Sequence, residues 1–121
     1  DAIVRAYRAG AVVAGSSAGA MVLCAHYFDP GREELCPGLG LVPDSCVLPH
    51  HDTFGQGWAP RLAAALPGAT LIGIDEQTGA VAEVAGGRGW RVYGRGAVTL
   101  YRAGEARAFA AGAALPLPAA G

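Results

Sequence analysis

Ten residues near the start of the chain, Ala11-Val12-Val13-Ala14-Gly15-Ser16-Ser17-Ala18-Gly19-Ala20, leave few folds open. The first four form a short continuous apolar run, which predicts a strand buried on both faces of a parallel sheet. The last three begin an apolar helix predicted over 18–25, and only a Gly/Ser turn lies between. A buried strand that passes straight into a helix predicts an α/β fold. The G-x-S-x-G spacing sets Ser17 on a strained turn, with small neighbours because the strand and helix backbones crowd it. Such a turn points the hydroxyl away from the sheet. It also offers the Ala18 N–H to an oxyanion, and the helix start favours negative charge there. Gly/Ser turns also bind phosphate or cap helices. No Gly-Lys-Ser/Thr follows, which argues against a P-loop. Ser16 is a neighbouring hydroxyl, but only Ser17 has glycine at both −2 and +2.

Around this turn the pattern continues as α/β. Ala2, Ile3, Ala6 and Tyr7, with Arg5 and Arg8 between them, predict an amphipathic helix ended by Gly10. Residues 30–43 read as a loop punctuated by Gly31, Pro37, Gly38 and Gly40. Cys46-Val47-Leu48 reads as a strand stopped by Pro49. Residues 58–66 have helical spacing, with Pro60 in the first turn. Residues 69–74 read as a second buried strand, ending on Asp75-Glu76. From Ala80 the period shortens. Strands over 81–84 and 91–93 flank Gly86-Gly87-Arg88-Gly89, and strands over 98–101 and 106–109 flank Ala103-Gly104-Glu105. This predicts an antiparallel meander on the sheet edge. Residues 1–112 are expected to form a single domain, and 113–121 a low-complexity, flexible tail.

Composition narrows the function. The chain has 121 residues and a net charge of −1, with no basic run, so nucleic acid and anionic membrane are not expected partners. All nine basic residues are Arg; we read this, with the abundant Ala and Gly, as drift in the source genome. Cys24, Cys36 and Cys46 form no CxxC and leave one unpaired in any scheme, which suits reduced thiols in a cytoplasmic protein. The three His are not at ligand spacing with them, so no metal site is expected. Asp1-Ala2-Ile3-Val4-Arg5 has neither the charged nor the apolar region of a secretory leader, so none is expected, and no apolar stretch reaches the roughly 20 residues of a membrane span.

A serine nucleophile needs a base, and His26, His50 and His51 are the candidates. His26, nine residues after Ser17, is expected at the far end of the same helix. His50 and His51 follow a strand, on the edge where the active crevice of an open α/β sheet lies. One of this pair is the better base. Glu76 ends another strand on that edge and is a candidate to orient the imidazole. Asp75, Asp52, Asp29, Glu33 and Glu34 are its rivals.

The blocks GSSAGA, PGLGLVPD, LPHHD, IGIDEQT and GRGAVTLY occur in this order. Together they resemble the serine peptidases of the aspartyl dipeptidase (dipeptidase E) and cyanophycinase family, over about residues 10–101. The resemblance implies a class I glutamine amidotransferase-like fold, a mostly parallel sheet between helices, with a serine elbow in place of a cysteine one. It implies Ser17 as nucleophile, His50 as base, and His51 in a slot that is often aromatic. Glu76 takes the position of the cyanophycinase acid, whereas the dipeptidase branch places its acid after the nucleophile helix, near Asp29, Glu33 and Glu34. Cyanophycinases carry an Arg-rich cluster after the His; here only Gln56 and Arg61 stand in that stretch, as candidate substrate-binding residues. Family members also have roughly another hundred residues before the elbow, including a loop that gives the second oxyanion donor. The chain is therefore expected to be the later part of a longer domain.

The expected function is a serine-type hydrolase cleaving a peptide or isopeptide bond, an aspartyl dipeptidase being one form of it. It needs no cofactor, and its partner is a small peptide; a homo-oligomer is allowed. Two alternatives stand beside it: a catalytically incomplete relative serving as a binding or assembly module, and a glutamine amidotransferase-like protein.

Overall fold

The computed structural model describes residues 1–83 and 89–121. Helices and strands are mixed along the chain, in an α/β fold. Helix α1 (Ala2–Arg8) is capped by the Asp1 carboxylate, which accepts from the Ile3 and Val4 N–H groups. A four-residue helix α2 (Ala18–Met21) follows the Ser17 turn. Next come β1 (Cys24–Asp29), β2 (Glu34–Pro37) and β3 (Val42–Leu48). A 3-10 turn (Gly55–Trp58) runs into α3 (Ala59–Ala65), with Pro60 in its first turn, and then β4 (Thr70–Ile74). Strands β5 (Thr78–Glu83), β6 (Gly89–Gly94), β7 (Ala97–Arg102), β8 (Glu105–Ala110) and β9 (Ala114–Leu115) complete the chain.

Among the described residues, six strands form one sheet in the order β2-β1-β3-β4-β7-β8, and three form a second in the order β5-β6-β9. The large sheet is mixed. Its centre, β1-β3-β4, is parallel, and antiparallel neighbours stand at both edges. Alternation along β3 and β4 sends Cys46, Leu48 and Leu71 to one face, where Phe28, Ala59 and Leu62 meet them. Val47 and Ile72 point to the other face, against Met21, Cys24, Val98, Leu100 and the small sheet's Val92 and Leu115. Burial on both faces is why the 69–74 stretch reads as one continuous apolar run.

Several sequence expectations change. Residues 11–14 are not a strand, and Val12 is 94% exposed. A strand exists only where a neighbour completes its hydrogen-bond ladder, and no described strand lies beside this run. The helix predicted over 18–25 stops at Met21. Its would-be second half is β1, because the Val22 and Leu23 carbonyls accept from Leu39 and Leu41 instead of from the next helical turn. His26 therefore stands on a strand. The 30–43 loop holds β2 and the start of β3; its β1–β2 turn is an Asx turn, Asp29 Oδ1 accepting from the Gly31 N–H at 2.9 Å.

The expected meander splits between two sheets: β5–β6 belongs to the small one and β7–β8 extends the large one. Gly94, at φ +118°, makes the crossing with its α-carbon packed against the Gln77–Thr78 backbone, where a side chain has no room. Val84 and the expected turn residues Gly86-Gly87-Arg88 lie outside the described residues. The C-terminal segment, expected as a flexible tail, carries β9, which pairs with β6 and buries Leu115. No helix among the described residues is long and apolar enough to cross a membrane.

Candidate active site

Ser17 sits at φ 54°, ψ −116°, a backbone conformation that costs about 1–3 kcal/mol for a residue with a side chain. Its hydroxyl makes no capping bond to α2. The Oγ instead lies 2.9 Å from His50 Nε2. Gly15 is required here: a Cβ would collide with the Gly19 carbonyl and the Ala20 nitrogen. Gly19 is different, since a Cβ there would meet open space. Ala18 is the first residue of α2, so its N–H belongs to the set that a helix leaves without an internal partner.

His50 follows β3 and also has a positive φ, 48°. Its carbonyl gathers the N–H groups of Thr53, Phe54 and Gly55 and the Thr53 hydroxyl. Gly55 lies so close to Pro49 that no side chain fits. The Phe54 ring stacks on the imidazole, with centroids 5.1 Å apart. His50 Nδ1 lies 3.1 Å from Glu76 Oε1, just past the end of β4. The three side chains thus form a line from Ser17 Oγ through the imidazole to the carboxylate. Ser17, His50 and Glu76 lie on the wall of a groove of about 1460 Å³.

The rival acids are engaged elsewhere. Glu33 takes the Arg61 guanidinium at 3.2 Å, Glu34 takes Arg32 at 3.3 Å, and Asp29 holds its own turn. Asp75 meets His51, and Asp52 Oδ1 accepts from the Glu76 N–H at 2.8 Å. The candidate substrate residues are not gathered in. Gln56 and Arg61 are exposed and line no part of the groove that holds Ser17. Arg61 lies over the Phe28 ring, on the side of the sheet that α3 covers. Cys24 is buried in the core, and burial pushes its thiol up, so it is no substitute for the elbow serine.

Sequence reading missed a second cluster behind the first. His51 Nδ1 lies 3.2 Å from Asp75 Oδ1, and its Nε2 meets the Tyr101 hydroxyl. Asp75 Oδ2 also accepts from the Ala97 N–H at 2.9 Å. Burial, and then the Asp75 charge, push the Tyr101 phenol up, so its hydroxyl stays a donor. The available signal was the His-His pair at a strand end: successive residues face opposite ways, and the inward one needs a buried partner.

Residues 1–85 match the family model of peptidase family S51. The chain belongs to peptidase family S51. This is the family of the dipeptidase E and cyanophycinase resemblance drawn from the sequence blocks. No curated protein matches the chain. Among solved structures it is similar to a peptidase from an acI-B1 Actinobacterium, at 30% identity and a TM-score of 0.46. That match covers 77% of this chain and 43% of the other, so the chain spans less than half of that relative's length.

Proposed function

We propose that this S51 chain carries the nucleophile, base and acid of a serine-type hydrolase acting on a peptide or isopeptide bond. The observation that carries the reading is the unbroken line Ser17 Oγ, His50 Nε2, His50 Nδ1, Glu76 Oε1, with links of 2.9 and 3.1 Å. An ionised Glu76 only accepts, so it takes the Nδ1–H and leaves Nε2 free to accept from Ser17. Ser17 Oγ attacks the carbonyl carbon while Nε2 takes its proton, and the Ala18 N–H faces the developing oxyanion. Nε2 then gives that proton to the departing amine, leaving an acyl-enzyme. Water attacks the ester in the same way, its proton passing through His50 to Ser17 Oγ, and the acid product leaves. Glu76 keeps the ring in the useful tautomer and favours its charged form.

The test is covalent labelling. A fluorophosphonate probe is expected to attach at Ser17, located by mass spectrometry, and Ser17→Ala to abolish attachment. A probe found on another residue of the folded protein overturns the reading. The finer assignment, an aspartyl dipeptidase, rests on the family and draws no support from Gln56 or Arg61, which stand away from the groove. Release of aspartate from Asp-X dipeptides, compared with other dipeptides, tests it.

A further inference from the structure

The parallel ladder of β3 and β4 runs from Ser45↔Thr70 to Leu48↔Gly73. The two chains stay joined beyond it by links of another kind. The His51 N–H donates to the Ile74 carbonyl at 2.9 Å, His51 Nδ1 meets Asp75, and Asp52 Oδ1 takes the Glu76 N–H. His50 to Glu76 is thus one of four links between residues 50–52 and 74–76. Of the two His–carboxylate pairs it is the more open: its side chains are 35% and 49% exposed, against 11% and 16% for His51 and Asp75. A pair as open as His50–Glu76 is weak and does not by itself hold two strand ends in one geometry.

We propose that His51, Asp75 and Asp52 are positioning residues that clasp the ends of β3 and β4, so that the His50 imidazole and the Glu76 carboxylate meet. The clasp serves the serine hydrolase reading given above and rests on it for its purpose. The ionised Asp75 takes the His51 Nδ1–H, leaving Nε2 as acceptor for Tyr101. This fixes the His51 ring against Gly73, where a Cβ would overlap it. With the ring fixed, the backbone of residue 51 is fixed, and His50 lies one peptide away. Asp52 does the same for Glu76 through its backbone N–H.

The experiment is done on the whole protein, with the histidines labelled with nitrogen-15. In the parent protein the His50 ring is expected as the Nδ1–H tautomer, bonded to Glu76. His51→Phe keeps the ring volume and removes both polar links; Asp52→Ala removes the link to the Glu76 N–H. Both are expected to lose the fixed His50 tautomer and to slow fluorophosphonate attachment about 10- to 100-fold, the scale of a 1 Å misplacement. The fall should lie in kinact, with KI unchanged, and Asp52→Asn, which keeps an acceptor oxygen, should restore both readouts. Asp52 is exposed, so its pair of variants decides the matter even if His51→Phe does not fold. An unchanged His50 signal and an unchanged rate in folded Asp52→Ala overturn the clasp. If the parent protein takes no label at Ser17 while its His50 signal still responds to Asp52→Ala, the clasp stands and the hydrolase reading falls.

Discussion

A methyl group at position 73 would overlap the His51 imidazole, meeting Cδ2, Cγ and Nε2 together. Backbone and ring both have neighbours that block retreat, so Gly73→Ala is a case of overpacking. It is expected to cost about 1–3 kcal/mol, measured by urea denaturation, and to slow Ser17 labelling. Gly79→Ala is the control: a Cβ there meets nothing within 4 Å, and its stability should hardly change. Single residues also show what the sequence made legible. Ser17 could be named from its flanking glycines, and the His50-His51 and Asp75-Glu76 pairs because each follows an apolar run and strand ends share an edge; the family resemblance singled out His50 within its pair. The positive φ of Ser17 and of His50 and the Phe54 stacking could not, since they depend on what the folded backbone crowds. Gln56 and Arg61 were singled out by position in a family pattern, and nothing in their local sequence says which way a helix face will turn.

Among the elements, β3, α3 and β4 were readable because each is bracketed by its own punctuation: Pro49, Pro60 and the polar pair Asp75-Glu76. The 11–14 run and the helix after Ser17 were not, for one physical reason. Short apolar stretches take the conformation that their neighbours complete, and those neighbours are distant in sequence. The C-terminal segment makes the same point in reverse. Its composition is that of a tail, yet Leu115 is buried against Val92 and Leu100 in the shared core, and Pro118 accepts from the Trp90 indole at 2.9 Å. Leu115→Ala should therefore destabilise the fold by about 2–5 kcal/mol. A denaturation midpoint equal to that of the parent chain would show that β9 contributes nothing.

At the scale of the whole molecule, the core carries two thiols whose titration is tied to folding. Burial first, and then the neighbouring Cys24, push Cys46 from 9.0 to about 12. Between those values the unfolded chain has lost a proton that the folded chain keeps, so stability must fall as pH rises from 9 toward 12. Chemical denaturation across that range should show the decline, and Cys46→Ala should flatten it. In native protein, Cys36 alone is expected to react promptly with an aromatic disulfide reagent, and Cys24 and Cys46 only on unfolding. The site has its own connection to the global fold. Ser17 is 33 residues from His50, and His50 is 26 from Glu76, so no local piece of chain can reconstitute it. Covalent capture at Ser17 is then a reporter of assembly: a nascent or refolding chain would become reactive only once three far-apart stretches had found one another.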